Sequence, residues 1–256
     1  MVYGQGSQCV RALAATNFQV RSGSFTALVG PSGCGKSTLL MMLAGMLQPT
    51  SGEVLLNGST LGEASDQIGL ALQSPALLPW KTVLDNVMLG VALGIRRRDR
   101  GQYVERASEL LRVAGLDRFR QHFPRELSGG MRQRVAIVRS LLLDPPILLM
   151  DEPFVALDAL TREGLNVWFE NLWQRTGKAV VWVTHSIDEA VTLADEVVVM
   201  SPGPGRIIDR IAIGLPRPRD AKVMAEPAFA ALCGRVRECL GAGVAAQPSM
   251  RITPGD

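Results

Sequence analysis

With 256 residues, 47% hydrophobic and 20% charged, the chain has the composition of a globular protein, and its length allows one large α/β domain with a subdomain or tail. Its net charge of +3 is too small to call for nucleic acid or anionic lipid as a partner. No run of about 18 apolar residues occurs, and the opening Met-Val-Tyr-Gly-Gln-Gly lacks both regions of a signal peptide, so neither a transmembrane helix nor a secretory leader is expected.

Along the chain, apolar β-rich runs recur at Phe25–Val29, Ile147–Met150, Ala179–Thr184 and Glu196–Met200. Helical patterns separate them, which predicts a mostly parallel sheet with helices on its faces. Between Pro79 and Leu143 the texture changes. Leu84 to Gly94, Tyr103 to Ala114 and Met131 to Leu143 each place apolar residues at helical spacing, so a helical subdomain of about residues 76–143 is expected inside the α/β core. Within it, Arg96-Arg97-Arg98-Asp99-Arg100 reads as a solvated loop, with docking against a partner as the alternative. Past Gly214 the chain turns Pro- and Arg-rich, then shows one helical pattern, Pro227 to Leu240, and a small-residue tail expected to be flexible. The expected division is therefore a main domain of residues 1–214 and a C-terminal helix and tail of residues 215–256. Cys9, Cys34, Cys233 and Cys239 are scattered without a CxxC, which suits reduced thiols in a cytosolic compartment.

Between the first apolar run and a helical stretch stands Gly30-Pro31-Ser32-Gly33-Cys34-Gly35-Lys36-Ser37, followed by Thr38. Strand, glycine loop and helix in that order form the context of the phosphate-cradling pattern G-x-x-x-x-G-K-[ST]. Glycines let successive N–H groups point at phosphate oxygens, and the positive end of the helix adds to that field. Lys36 can reach the β- and γ-phosphates, and the Ser37 hydroxyl can coordinate Mg²⁺. Further on, Ile147-Leu148-Leu149-Met150-Asp151-Glu152 is an apolar strand ending in two carboxylates. Asp151 suits the Mg²⁺ shell. Glu152, placed by strand alternation on the other side, suits the polarisation of an attacking water. Leu127-Ser128-Gly129-Gly130 opens a second helix with a good N-cap, a modest signal alone.

The order and spacing of this phosphate loop, Gln73, Leu127–Gln133, Asp151-Glu152, Ala156-Leu157-Asp158 and His185 resemble the ATP-binding cassette (ABC) ATPases, from Tyr3 to about Ile213. The resemblance implies a P-loop NTPase core of RecA-like type with an inserted helical subdomain. It also implies ATP and Mg²⁺ as cofactors and a head-to-tail homodimer. Each ATP would lie between one subunit's phosphate loop and the other's Ser128-Gly129-Gly130. Glu152, His185, Gln73 and Lys36 would be the catalytic residues, and Ser37, Gln73 and Asp151 would serve the metal. Asp158 would communicate across the dimer, His185 would contact the γ-phosphate, and Tyr3 would stack on adenine. Almost nothing precedes Tyr3, so either the start is late or the adenine platform is frayed. Val155 stands where the family usually has glycine or serine, which stiffens that loop.

A finer likeness, carried by Gln73-Ser74-Pro75-Ala76-Leu77-Leu78-Pro79-Trp80, by Phe154–Arg162 and by Ser201–Ile207, is to the importers of nitrate, sulfonates and taurine. It implies separate permease subunits docking near Gln73–Trp80, a separate solute-binding protein, no nucleic acid, and a peripheral location on the cytoplasmic face of the inner membrane. Leu77, Leu78 and Trp80 also fit a simple cover for the subdomain core. A soluble ABC ATPase acting on ribosomes or DNA is the alternative function, although tandem cassettes or long insertions are missing from the sequence. A degenerate module that no longer hydrolyses ATP is a third reading, opposed by the presence of Lys36, Asp151, Glu152 and His185 together.

Overall fold

The computed structural model describes residues 1–3, 10–62, 66–94 and 100–245. Cys9, the cluster Arg96–Asp99 and the tail beyond 245 lie outside the described residues, as does the Tyr3 side chain. Ten strands are present among the described residues: β1 (Val2–Tyr3), β2 (Val10–Arg11), β3 (Phe25–Val29), β4 (Leu55–Leu56), β5 (Ser59–Thr60), β6 (Ile68–Ala71), β7 (Ile147–Asp151), β8 (Ala179–Val183), β9 (Glu196–Met200) and β10 (Ile207–Ala212). The helices are α1 (Lys36–Leu43), α2 (Val83–Val87), α3 (Leu89–Ala92), α4 (Arg100–Val113), α5 (Gly129–Leu141), α6 (Ala159–Thr176), α7 (Ile187–Leu193), α8 (Ala221–Met224) and α9 (Pro227–Ala245).

Six strands form the central sheet in the order β10-β9-β3-β8-β7-β6, all parallel except the antiparallel edge strand β10. β3, apolar but for Thr26, and the wholly apolar β8 are buried throughout, as strands covered on both faces must be. Alternate residues serve opposite layers. Phe25, Ala27 and Val29 face a core shared with α6, α7 and α9, whereas Leu28 joins Leu39, Leu40 and Met42 of α1 on the other face. In the first core Phe25, Phe154, Phe169, Trp173 and Trp182 make tilted and edge-to-face contacts at centroid distances of 4.9–6.1 Å. Each such pair adds about 0.5–1.5 kcal/mol beyond its buried area. A third core, including Val83, Val87, Val91, Tyr103, Leu111, Val135 and Val138, is built mainly by α2–α5, with Trp168 of α6 packed against it.

Two strands of the sheet were not foreseen. β6 carries Gly69, whose absent Cβ admits the Ser140 carbonyl at 2.5 Å from where it would stand, and a glycine weakens a strand signal. β10 mixes Asp209 and Arg210 into an edge position, where only one face needs apolar side chains. The helical pattern from Leu84 splits at Met88 into α2 and α3, and the last helix runs on to Ala245. Helix starts follow side-chain caps: Thr82, Ser128, Asp158 and Ser186 each accept a bond from a backbone N–H in the first turn.

Candidate active site

The carboxyl ends of β3, β7 and β8 lie side by side, the edge where open α/β sheets hold ligands. The turn after β3 is the Gly30–Lys36 loop, with Gly33 at φ 76° and Gly35 at φ 96°, values open to glycine and strained for other residues. It feeds directly into α1, so backbone N–H groups and the helix start converge on one spot. Buried Lys36 folds back on the loop. Its Nζ donates to the carbonyls of Gly30 (2.8 Å) and Pro31 (3.0 Å). In front lies a cavity of about 280 Å³ lined by Ala12, Ser32, Gly33, Gly35, Lys36, Ser37, Thr38 and Glu152. Hydroxyls, glycine backbone and a cation suit it to a polyphosphate.

The second half of the site comes from β7 and β8. Ser37 Oγ donates to Asp151 Oδ1 at 3.2 Å, tying α1 to the end of β7. Burial pushes the Asp151 carboxyl up, the Glu152 charge adds to this, and the Ser37 bond and Lys36 oppose it. A carboxylate so placed favours a cation beside it. Glu152 leaves the strand geometry at once, with φ 44°, and its N–H is pinned to the Val183 carbonyl at 3.0 Å. Simple strand alternation therefore does not place its side chain; a left-handed turn does. That turn brings Glu152 Oε2 to 3.3 Å from Nδ1 of exposed His185.

Behind this pair is a small cleft lined by Glu152, Val155, Arg162, Thr184, His185, Ser186 and Glu189. Glu189 is buried. Burial pushes its carboxyl up, bonds from Thr184 and Trp182 oppose this, and one of its oxygens has no partner among the described residues. Arg162 donates to the carbonyls of Val155 (3.4 Å) and Leu157 (2.8 Å), holding the loop that precedes α6. Sequence pattern assigns no role to Arg162, although it ends the Phe154–Arg162 stretch, and none to Glu189, because Ser186…Glu189 reads as an ordinary helix start.

Other candidates stand apart from the cavity. Gln73, just beyond β6, is exposed and its side chain makes no hydrogen bond among the described residues. Ser128 is exposed at the start of α5, its Oγ accepting from the Met131 N–H at 3.3 Å. Gly129 and Gly130 pack against the loop before α6 and α6 itself: added Cβ atoms would stand 3.0 Å from Leu157 and 2.9 Å from Thr161. Asp158 is exposed, and bonds from Thr161 hold its carboxyl below the usual carboxylate range. Tyr3 lies in β1, paired with Val10. Trp80 is 71% exposed.

Comparison with known proteins places these features in one family. The family model described as ABC transporter matches residues 13–155. A taurine import ATP-binding protein TauB from Rhizobium johnstonii is 46% identical over 90% of this chain and 89% of its own. An uncharacterized ABC transporter ATP-binding protein of Methanocaldococcus jannaschii, MJ0412, is 48% identical over 82% of this chain and 78% of its own. Among solved structures, the dimeric post-hydrolysis state of the ATP-binding cassette MJ0796, bound to ADP and Pi, superposes with TM-score 0.71 at 34% identity, over 83% of this chain and 95% of that one.

Proposed function

The chain belongs to the ABC transporter family, and from that premise we propose that it is the ATP-hydrolysing subunit of an importer for a small solute, of the taurine, sulfonate or nitrate type. The observation that carries this is the convergence of Lys36, Ser37, Asp151, Glu152 and His185 at one sheet edge, with Ser37–Asp151 at 3.2 Å and Glu152–His185 at 3.3 Å.

ATP binds with its phosphates in the cavity before α1. Lys36 exchanges its two loop carbonyls for β- and γ-phosphate oxygens, and the loop N–H groups take the rest. Ser37 and Asp151 form a set of hard oxygen donors that fits Mg²⁺, and the buried Asp151 carboxyl gains from a cation beside it. These two residues would hold the ion, with Gln73 joining them; when bound, Mg²⁺ neutralises charge on the β- and γ-phosphates. Water attacks the γ-phosphorus in line as the bond to the leaving ADP oxygen breaks. Glu152 accepts the water's proton, and His185 orients Glu152 and meets the γ-phosphate.

Ser128, Gly129 and Gly130 do not line their own chain's cavity, and in this reading each of two copies supplies this segment to the other's ATP. Dimeric relatives support that arrangement. Asp158 faces the seam, and Tyr3 is assigned to the adenine. The α2–α5 layer, with its own core, serves as the moving subdomain within residues 1–214, and residues 215–256 as a C-terminal extension. Exposed Trp80, seven residues after Gln73 in the chain, supports a docking anchor for permease subunits. No helix among the described residues is long and apolar enough to cross a membrane, so attachment at the cytoplasmic face falls to that permease, and solute choice to it and a binding protein.

The test is Glu152→Gln, tagged and recovered from detergent-solubilised native membranes with ATP and Mg²⁺. It should bind ATP, dimerise, scarcely turn over and bring down a stoichiometric polytopic partner. Near-normal hydrolysis would move the base elsewhere. Recovery only from the soluble fraction would defeat the importer assignment.

A further inference from the structure

Between β6 and α2 the chain crosses from the sheet to the α2–α5 layer, and this crossing carries Gln73. Side chains of α5 and α2 hold most of its backbone, with one backbone bond, from the Lys81 N–H to the Leu78 carbonyl at 3.1 Å, near its end. Buried Gln133 of α5 donates from Nε2 to the Leu72 carbonyl at 3.2 Å. Arg139, farther along the same helix, donates from Nη2 to the Pro75 carbonyl at 2.8 Å and from Nη1 to the Ala76 carbonyl at 2.9 Å. Beyond them, the fully buried Asn86 of α2 accepts from the Leu78 N–H at 2.7 Å and donates to the Leu78 carbonyl at 3.1 Å.

Ala76 sits at φ 45°, a left-handed conformation that non-glycine residues seldom hold. It is exposed, so no packing forces it there. What does hold it is the Arg139 fork, since a planar guanidinium can fix two successive carbonyls where a point charge cannot. Arg139 makes no ion pair among the described residues. Burial lowers its pKa, and its guanidinium donates to the two loop carbonyls, so this grip offsets the cost of burying it.

We propose that Gln133 and Arg139 are positioning residues that lock the Gln73 loop to the helix beginning at Ser128. Their bonds fall on both sides of Gln73, while the Gln73 side chain itself stays unbonded and available. α5 is continuous from Gly129 to Leu141, so any shift of Ser128 moves Gln133 and Arg139 with it, and they carry the Gln73 backbone along. The seating of one copy's Ser128 on the other's ATP is thereby linked to where Gln73 stands in its own site. Ala76 is the strained joint that makes the locked position depend on both Arg139 bonds. The catalytic consequence rests on the role assigned to Gln73 above.

Arg139→Lys is the test, because lysine keeps the charge and loses the fork. Backbone amide exchange over Leu72–Leu78 should quicken while exchange within α5 stays as in the native chain. kcat for ATP should fall at least about tenfold, the scale of one lost charge-assisted bond, with KM within about twofold. Ala76→Gly in the Arg139→Lys background should restore most of the rate, because glycine holds φ 45° without help from a second bond. Unchanged exchange in Arg139→Lys, or a double variant no faster than the single one, would overturn the proposal. Gln73→Ala separates the two layers: if it hydrolyses ATP normally while Arg139→Lys quickens exchange, the lock stands and the role given to Gln73 fails.

Discussion

Gly205 offers the sharpest test of how the phosphate loop is held. It lies in the turn between β9 and β10, where its N–H donates to the Ala12 carbonyl at 3.0 Å and its carbonyl accepts from the Ala14 N–H at 2.9 Å. Those bonds stop it from sliding. A Cβ added at Gly205 would stand 1.8 Å from the Cys34 carbonyl oxygen, so it needs about 1.2 Å more room to reach the 3.0 Å that such contacts require. Cys34 immediately precedes Gly35 and Lys36, so relief must come by pushing the phosphate loop. Overpacking of this kind costs about 1–3 kcal/mol. A displacement of about 1 Å in a group that positions the reacting phosphate costs on the order of a hundredfold in rate. Gly205→Ala should therefore lose stability in urea denaturation and lose ATP turnover on that scale. Gly203→Ala is the control, since its Cβ would meet the Gly33 carbonyl at an ordinary 3.6 Å. If Gly205→Ala lost stability yet hydrolysed ATP at the native rate, the turn and not the loop would have yielded, and the reasoning would be wrong.

Lys36→Ala removes the one side-chain cation among the described residues that line the cavity, each of whose charge-assisted bonds is worth about 1.5–3 kcal/mol; ATP titration should show binding lost, and retained tight binding would sink the loop assignment. Arg219 is buried with its guanidinium on the carbonyls of Val191, Thr192, Ala194, Ile213 and Leu215, and burial brings its pKa down to about 10. Arg219→Met strands these acceptors, so the urea midpoint should fall by the equivalent of about 3 kcal/mol with ATP affinity unaltered. Lys178, whose Nζ donates to it at 2.7 Å, holds the Asp144 carboxyl below the usual carboxylate range, with Arg106 adding to this. A depressed folded pKa gives stability that is present above the unfolded pKa of about 3.9 and lost as pH falls through the folded value. Asp144→Asn should thus be less stable than the native chain at pH 7, and the gap in urea denaturation should close toward pH 3.

Sequence pattern made the central strands legible because they are buried on both faces, where nothing but apolar residues fits. It failed for β6 and β10, one interrupted by Gly69 and the other at an edge that tolerates Asp209 and Arg210. Phosphate loop, Asp151 and His185 were legible for a different reason: the chemistry fixes residue types at strand ends. The backbone turn at Glu152 was not, since no local pattern announces a left-handed glutamate. Nor were Arg139 and Gln133, whose partners are backbone carbonyls sixty or so residues earlier in the chain, as the spacings of these bonds show. Side chain to backbone bonds over such distances leave no spacing to read.

In the proposed dimer, the packing of the α5 glycines links the parts of the divided site within each chain. Added Cβ atoms at Gly129 and Gly130 would stand 3.0 Å from Leu157 and 2.9 Å from Thr161, so the start of α5 rests directly on the loop before α6 and on α6 itself. That loop is tied by Arg162 through the Val155 and Leu157 carbonyls to the cleft holding Glu152 and His185. Ser128 and Asp158, exposed on this shared piece, each spend an oxygen on capping a helix and keep further lone pairs for a neighbour. In the proposed dimer, a second copy seating its ATP on Ser128 would meet a segment in contact with the Glu152–His185 cleft on one side and, through Gln133 and Arg139, with the Gln73 loop on the other. Closure and catalytic geometry are linked by covalent and hydrogen-bonded continuity within each chain, without any element having to unfold.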